Sequence, residues 1–160
     1  MPTYGADIDF YRWHPPVAED TAWIDECIST SGASFIFSTE EILDHADQFR
    51  AWRERGGPPE NAWGSCILSK IETGDRVALI TGCFDSPISY SIRGIVTHPE
   101  FRDQGELLNS SQEMGKWILY RSGWGIREVG IHLADPSQSQ TLNDKWSVRS
   151  PDAKVWKRGR

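Results

Sequence analysis

The sequence predicts an α+β fold, a mixed and mostly antiparallel sheet flanked by helices. Three observations lead there. Short runs with strand-like alternation share the chain with longer runs of helical spacing. Three strand-like runs stand consecutively in the middle, the first two joined by a turn signal, which makes an antiparallel meander. A helical run then separates two further strand runs, the pattern of a crossover between parallel strands. The order is β-α-α-β-β-β-α-β-α-β. The 160 residues are expected to form one domain, 1–160, with enough chain for a real core.

The elements follow in chain order. "DIDFYRWH" (7–14) alternates Ile8, Phe10 and Arg12 against Asp9, Tyr11 and Trp13, which suits a strand with one wet face, and "HPP" stops it. "AEDTAWIDECIST" carries acids in its first turn and Trp23, Ile24, Cys27 and Ile28 at helical spacing. "GASFIF" is an apolar connector. In "STEEILDHADQFRAWRER", Ser38 and Glu41 stand in capping-box register, while Ile42, Ala46, Phe49 and Arg53 share a face. "AWGSCILSKI" and "RVALITGCF" are joined by "ETGD", with Gly74 in the turn. "YSIRGIVTH" is the fourth strand. "ELLNSSQEMGKWILYRS" aligns Leu107, Ser111, Met114 and Ile118, with Gly115 allowing close helix-to-sheet approach. "GWGI" ends that helix, "REVGIHLA" is the fifth strand, "SQSQTLNDKWS" a weak helix and "AKVWKRG" a last strand.

Composition narrows the function. A net charge of −6 argues against non-specific nucleic-acid binding, since nothing would drive counterion release. The basic tail of Lys154, Lys157, Arg158 and Arg160 reads as a solvated end. Cys27, Cys66 and Cys83 are odd in number and widely spaced, so no disulfide framework is expected and a cytoplasmic location is. His14, His45, His98 and His132 lack zinc-site spacing, so no metal is expected. No apolar run approaches the ~18 residues of a spanning helix, and the start lacks a leader's pattern. Eight Trp invite the expectation that some line an interface with a protein partner or a second copy.

The stretch "IVTHPEFRDQGEL" stands at the fourth strand and the following turn. Together with the element order, it resembles the GNAT superfamily of acetyl-CoA-dependent N-acetyltransferases. That family's pattern is an apolar strand ending in Val-x-Pro, an aromatic residue, then Gln/Arg-x-x-Gly-x-Gly/Ala opening a helix. Here Thr97 stands in the Val place, Pro99 and Phe101 match, and Arg102 and Gly105 hold the first and fourth loop places. The likeness of order spans nearly the whole chain, and the residue match about a dozen positions. The resemblance implies that acetyl-CoA is the acyl donor and that an amine on a small molecule or protein is the acceptor. It implies that Val96 and Thr97 hold the pantetheine arm. The amides of Arg102, Asp103, Gln104, Gly105, Glu106 and Leu107 would hold the pyrophosphate, using the unpaired N–H groups and partial positive charge of a helix start.

The departures are specific. Leu107 replaces the small sixth residue of the loop, and Asp103 and Glu106 set carboxylates beside the phosphate site. Each would oppose binding by about 1 kcal/mol at ~7 Å in a partly solvated setting. In the family a Tyr after the fifth strand protonates the departing thiolate; Asn143 stands in that place, and Pro136 in the place of an upstream Asn. Tyr120 and Tyr90 are the substitutes, and His132, expected mid-strand, is the candidate base. Three alternatives stay open. One is an active transferase. Another is a GNAT-shaped binding or structural protein without chemistry, for example a phage virion component. The third is an unrelated α+β domain, which would have its fourth strand paired rather than splayed.

Overall fold

A computed structural model describes residues 6–7, 10–31, 35–54, 62–102, 104–137 and 155–157. Its strands are β1 (Ala6–Asp7), β2 (Tyr11–His14), β3 (Ala62–Lys70), β4 (Arg76–Ser86), β5 (Ser89–Thr97), β6 (Glu128–Ile131) and β7 (Val155–Lys157). The helices are α1 (Thr21–Ser29), α2 (Thr39–Glu54) and α3 (Glu106–Tyr120), with 3-10 turns at Ala18–Asp20 and Pro99–Phe101. The seven strands form one sheet in sequence order, antiparallel throughout except for the parallel pair β5 and β6. This is the α+β sheet the pattern predicts. The expected helix at 137–147 lies outside the described residues.

One element differs. The single first strand expected at 7–14 is instead a hairpin, with β1 folded back on β2 through the register Ala6↔Trp13. Phe10, at the reversal, is 73% exposed, while Tyr11 and Trp13 are the buried pair. Their rings bury more area than Phe10 alone would, so the face bearing Tyr11 and Trp13 turns inward.

Two clusters sit on the two faces. Ile24, Cys27, Phe35, Ile42, Ile67, Leu79 and Val96 pack beneath α1 and α2. Cys66, Leu68, Ile80, Ile92, Ile95, Met114, Ile118 and Leu119 belong to the α3 side, joined by a Trp-rich group. Alternation along the strands explains the sorting: Cys66 and Leu68 point one way, Ile67 the other. The helix start at α2 is built as expected. The Ser38 Oγ accepts from the Glu41 N–H at 3.1 Å, and the Ser38 N–H donates to the Glu41 carboxylate at 3.0 Å.

The side chains of six of the eight Trp residues are described. Among the described residues, Trp13, Trp52 and Trp117 are buried and Trp23, Trp63 and Trp124 half-buried, so none of these six is an exposed interface anchor. Trp13–Trp117, Trp52–Trp124 and Trp117–Trp124 meet edge-to-face at 5.1, 5.3 and 5.1 Å between ring centres. The positive ring edge against a negative face favours this arrangement, so the rings fill the core.

Candidate active site

The site starts from an irregularity in β5. Thr81 pairs with Gly94 and Gly82 with Ile92, leaving Arg93 as an extra residue in β5. Such a bulge shifts the alternation by one. That is why Ile92 and Ile95, three residues apart, both face α3.

The bulge also marks where β5 and β6 part. Their parallel pairing runs from Ser89↔Glu128 to Ile92↔Ile131 and closes with the His132 N–H on the Ile92 carbonyl at 2.9 Å. β5 continues five residues farther. The fourth strand of the sequence reading, β5 here, is therefore splayed. Among the described residues, β5 is thus not the fully paired fourth strand that an unrelated domain would show.

Which backbone groups face the gap follows from register. The His98 N–H donates to the Val77 carbonyl across β4 at 2.8 Å. Counting back by alternation, Val96 and Gly94 also turn toward β4, whereas Ile95 and Thr97 turn their backbone toward the gap. Of the expected pair Val96 and Thr97, Val96 thus turns its backbone to β4 and Thr97 to the gap. Val96 lies in the ladder opposite Leu79, and its side chain is buried beneath α1 and α2. Thr97 is buried, and its carbonyl accepts from the Arg102 guanidinium at 3.0 Å.

The turn into α3 ends at Gly105, whose φ of 78° and ψ of 2° lie in the left-handed region. No side chain caps this helix. Its first backbone bond runs from the Asn109 N–H to the Gly105 carbonyl at 3.0 Å, so the amides of Glu106, Leu107 and Leu108 precede the helical ladder. A Cβ on Gly105 would meet nothing nearer than the Asn109 amide at 3.8 Å, so the backbone here is open to approach. The contrast with the self-capped start of α2 is clear.

Side chains of the loop take other work. The Arg102 guanidinium donates to the carbonyls of Thr30 at 2.5 Å and Cys27 at 3.2 Å, at the negative end of α1, besides that of Thr97. Gln104 donates to the Glu100 carbonyl at 2.9 Å. Asp103 lies outside the described residues. Leu107 is half-buried against the α3-side core, so its bulk is turned off the helix end.

Glu106 corrects another expectation. Its carboxylate is buried, accepts from the Tyr11 hydroxyl at 3.2 Å and pairs with Lys70 at 3.5 Å. Burial and this carboxylate hold the Tyr11 phenol protonated well above its usual range. The group thus serves a contact with β2 and β3 rather than confronting a ligand. An open cavity of ≈540 Å³ lies there, bearing Glu72, Glu106 and Glu113 with Lys70, a charge balance unsuited to phosphate.

The catalytic candidates do not converge. His132 stands one residue past β6 and is exposed, because β6 ends at Ile131, so the mid-strand placement is corrected. It does sit at the fork of β5 and β6. Tyr120 is the last residue of α3, 42% exposed. Fourteen rises of 1.5 Å put it about 20 Å along the axis from the start of that helix. Tyr90 is buried, donates to the Gly64 carbonyl at 3.3 Å and is raised far above its usual range by burial. Asn143 lies outside the described residues. The thiols offer no nucleophile: burial pushes Cys27 up to about 12 and raises Cys66 and Cys83. No cluster able to hold a metal occurs among the described residues.

The sequence reading missed Arg93, the bulge residue, with Asp85 and Ser91 around it. The signal was available: Arg93 is a lone charge inside the otherwise buried run "SYSIRGIVT".

No protein-family model matches the sequence, and no curated protein matches it. Solved structures do. An acetyltransferase of the GNAT family from Bacillus anthracis superposes with a TM-score of 0.63 at 14% identity, covering 92% of this chain and 84% of that one. The chain has the GNAT fold. An acetyltransferase from Salmonella typhimurium, which modifies the N-terminal serine of a 50S ribosomal subunit protein, gives 0.61 at 15% identity over 85% and 78%. A variant of the spermidine N-acetyltransferase of Vibrio cholerae gives 0.52 at 8% over 76% and 68%. Within the GNAT fold, the splayed β5 and the glycine-initiated α3 are consecutive in the chain. Among the described residues, no helix is long and apolar enough to cross a membrane.

Proposed function

We infer that this protein transfers an acetyl group from acetyl-CoA to an amine. One observation carries the reading: a strand that leaves its neighbour at a bulge runs directly into a helix with an open, left-handed glycine and no side-chain cap. The amides of Glu106, Leu107 and Leu108 would hold the pyrophosphate, with the helix's partial positive charge behind them. The backbone groups of Ile95 and Thr97 would align the pantetheine arm along the gap, bringing the acyl end toward the fork at Ile92.

Bound acetyl-CoA supplies an activated acyl group, and the chain's part is to orient it and exclude competing geometry. A thiolate is a good leaving group, with a conjugate thiol near pKa ~8.5, so a dedicated acid is dispensable. The absence of a well-placed phenol among Tyr11, Tyr90 and Tyr120 is therefore compatible with turnover. The acceptor is an amine by the company the fold keeps, spermidine and a protein N-terminus among its neighbours.

Calorimetric titration tests this. Acetyl-CoA is expected to bind in the micromolar range, and acetyl-pantetheine, which lacks the pyrophosphate, far more weakly. Thiol release in the presence of spermidine or a serine-initiated peptide would then report transfer. No heat and no thermal shift at millimolar acetyl-CoA would end the enzyme reading.

A further inference from the structure

Arg93 is placed by the bulge at the point where β5 loses its β6 neighbour, the first residue beyond Ile92. Its guanidinium is held at one end only. The Nη2 donates to the Asp85 carboxylate at 3.2 Å, and Asp85 is fixed in turn by the Ser91 hydroxyl. The Nε atom is buried and has no hydrogen-bond partner among the described residues. A buried donor of this kind is costly to leave unmatched, the more so when it is charged. The side chain as a whole is 38% exposed, so the guanidinium lies at the surface while this one N–H lacks an acceptor among the described residues.

We propose that Arg93 is a catalytic residue of the transfer, its Nε–H donating to the thioester carbonyl oxygen as negative charge gathers there. The proposal rests on the acetyltransferase reading above. It adds a side-chain donor to whatever β5's backbone supplies, in a site where a fixed, charged N–H counts for more than water would. In the transfer the amine nitrogen bonds to the carbonyl carbon and the carbon–sulfur bond breaks. The amine's proton passes to water, and the departing thiolate takes one from water. Arg93 exchanges no proton and acts by charge and direction. Asp85 positions it: bonding the Nη2 leaves the guanidinium only a small arc in which Nε can point.

The decisive measurement needs no acceptor. Infrared difference spectra of acetyl-CoA carrying ¹³C at the carbonyl would be recorded bound to the wild type, to Arg93→Met and to Arg93→Lys. The expected result is a carbonyl stretch at lower frequency in the wild-type complex than in water. That displacement should be lost in Arg93→Met and also in Arg93→Lys, which keeps a charge but not the Nε–H. Calorimetry should show acetyl-CoA bound by both variants within about threefold of the wild-type affinity, and kcat on any amine that the wild type acetylates should fall about 10²-fold. Asp85→Asn, which leaves Arg93 in place but unanchored, is expected to recover part of the displacement. Equal carbonyl frequencies in wild type and Arg93→Met, with acetyl-CoA bound to both, would overturn the role of Arg93 and leave the transferase reading standing. Failure of the wild type to bind acetyl-CoA would overturn both.

Discussion

Replacing Gly105 tests the phosphate cradle most directly, because the structure separates two effects that usually travel together. At φ 78° a residue with a Cβ is strained by about 1–2 kcal/mol. A Cβ here meets only the Asn109 amide at 3.8 Å, so Gly105→Ala should create no clash within the protein. The strain alone should lower Tm by about 2–8 °C, taking 2–4 °C per kcal/mol for a chain of this size. Relief of that strain would rotate the amides of Glu106, Leu107 and Leu108 away from a common focus, and the added methyl would face an approaching phosphate. Acetyl-CoA affinity should therefore fall tenfold or more, a loss of at least about 1.4 kcal/mol. Gly105→Asn supplies the control, since Asn tolerates the left-handed region and should recover most of the Tm but not the space. Calorimetry and thermal melts on the three proteins read both quantities. A Gly105→Ala protein that melts earlier yet binds acetyl-CoA as tightly as the wild type would refute the cradle.

Three further outcomes are expected. Trp52, fully buried among Phe49, Phe84 and Trp124, should cost about 3–5 kcal/mol on conversion to Ala, read by urea unfolding; a loss below 1 kcal/mol would mean that the aromatic cluster is loosely packed. His45 is lowered below its usual value mainly by burial, bonded to Thr81 and stacked on Trp63, so its stabilising effect is present above pH ~6.5 and lost as pH falls. Between pH 7 and 5.5 this removes at most about 1 kcal/mol, and His45→Asn, which can keep the Thr81 bond, should flatten that part of the urea-midpoint profile. Glu106→Gln leaves Lys70 without its buried partner and should destabilise the fold by about 1–3 kcal/mol while changing acetyl-CoA affinity less than threefold; a tenfold gain in affinity would show that the carboxylate does oppose the phosphate.

Local rules made much of this legible before any coordinates. The capping box at Ser38 and Glu41, the Gly74 turn and the strand-helix-strand crossover around α3 are each set by a few adjacent residues. The hairpin of β1 on β2 was not legible, because an alternating eight-residue pattern says nothing of where an edge strand reverses. Nor was the fate of the loop's charges. Arg102 and Glu106 look like ligands and opponents of a phosphate when read along the chain. In space, α1 offers its carbonyl end to one, and Tyr11 and Lys70 claim the other. Those partners lie from 36 residues away, for Lys70, to 95, for Tyr11, where no spacing rule reaches.

The bulge at Arg93 ties the remaining features together. One inserted residue moves Gly94 onto the face beneath α1 and α2, where an added Cβ would strike Phe35 and Phe37 at 2.9–3.0 Å. The same insertion returns Ile95 to the α3 side, so both cores close despite the irregularity. A regular β5 would keep Ile92 and Ile95 on opposite faces and leave an Ile against the Phe pair. The strand then has reason to break its ladder with β6 where it does, and the chain leaves it through Pro99 into an uncapped helix. Deleting Arg93 should restore simple alternation at the expense of the gap. Such a protein would carry Ile92 and Ile95 two residues apart, still on the α3 face, so it should keep both cores and lose acetyl-CoA binding. Retained binding after deletion would show that the gap does not depend on the bulge.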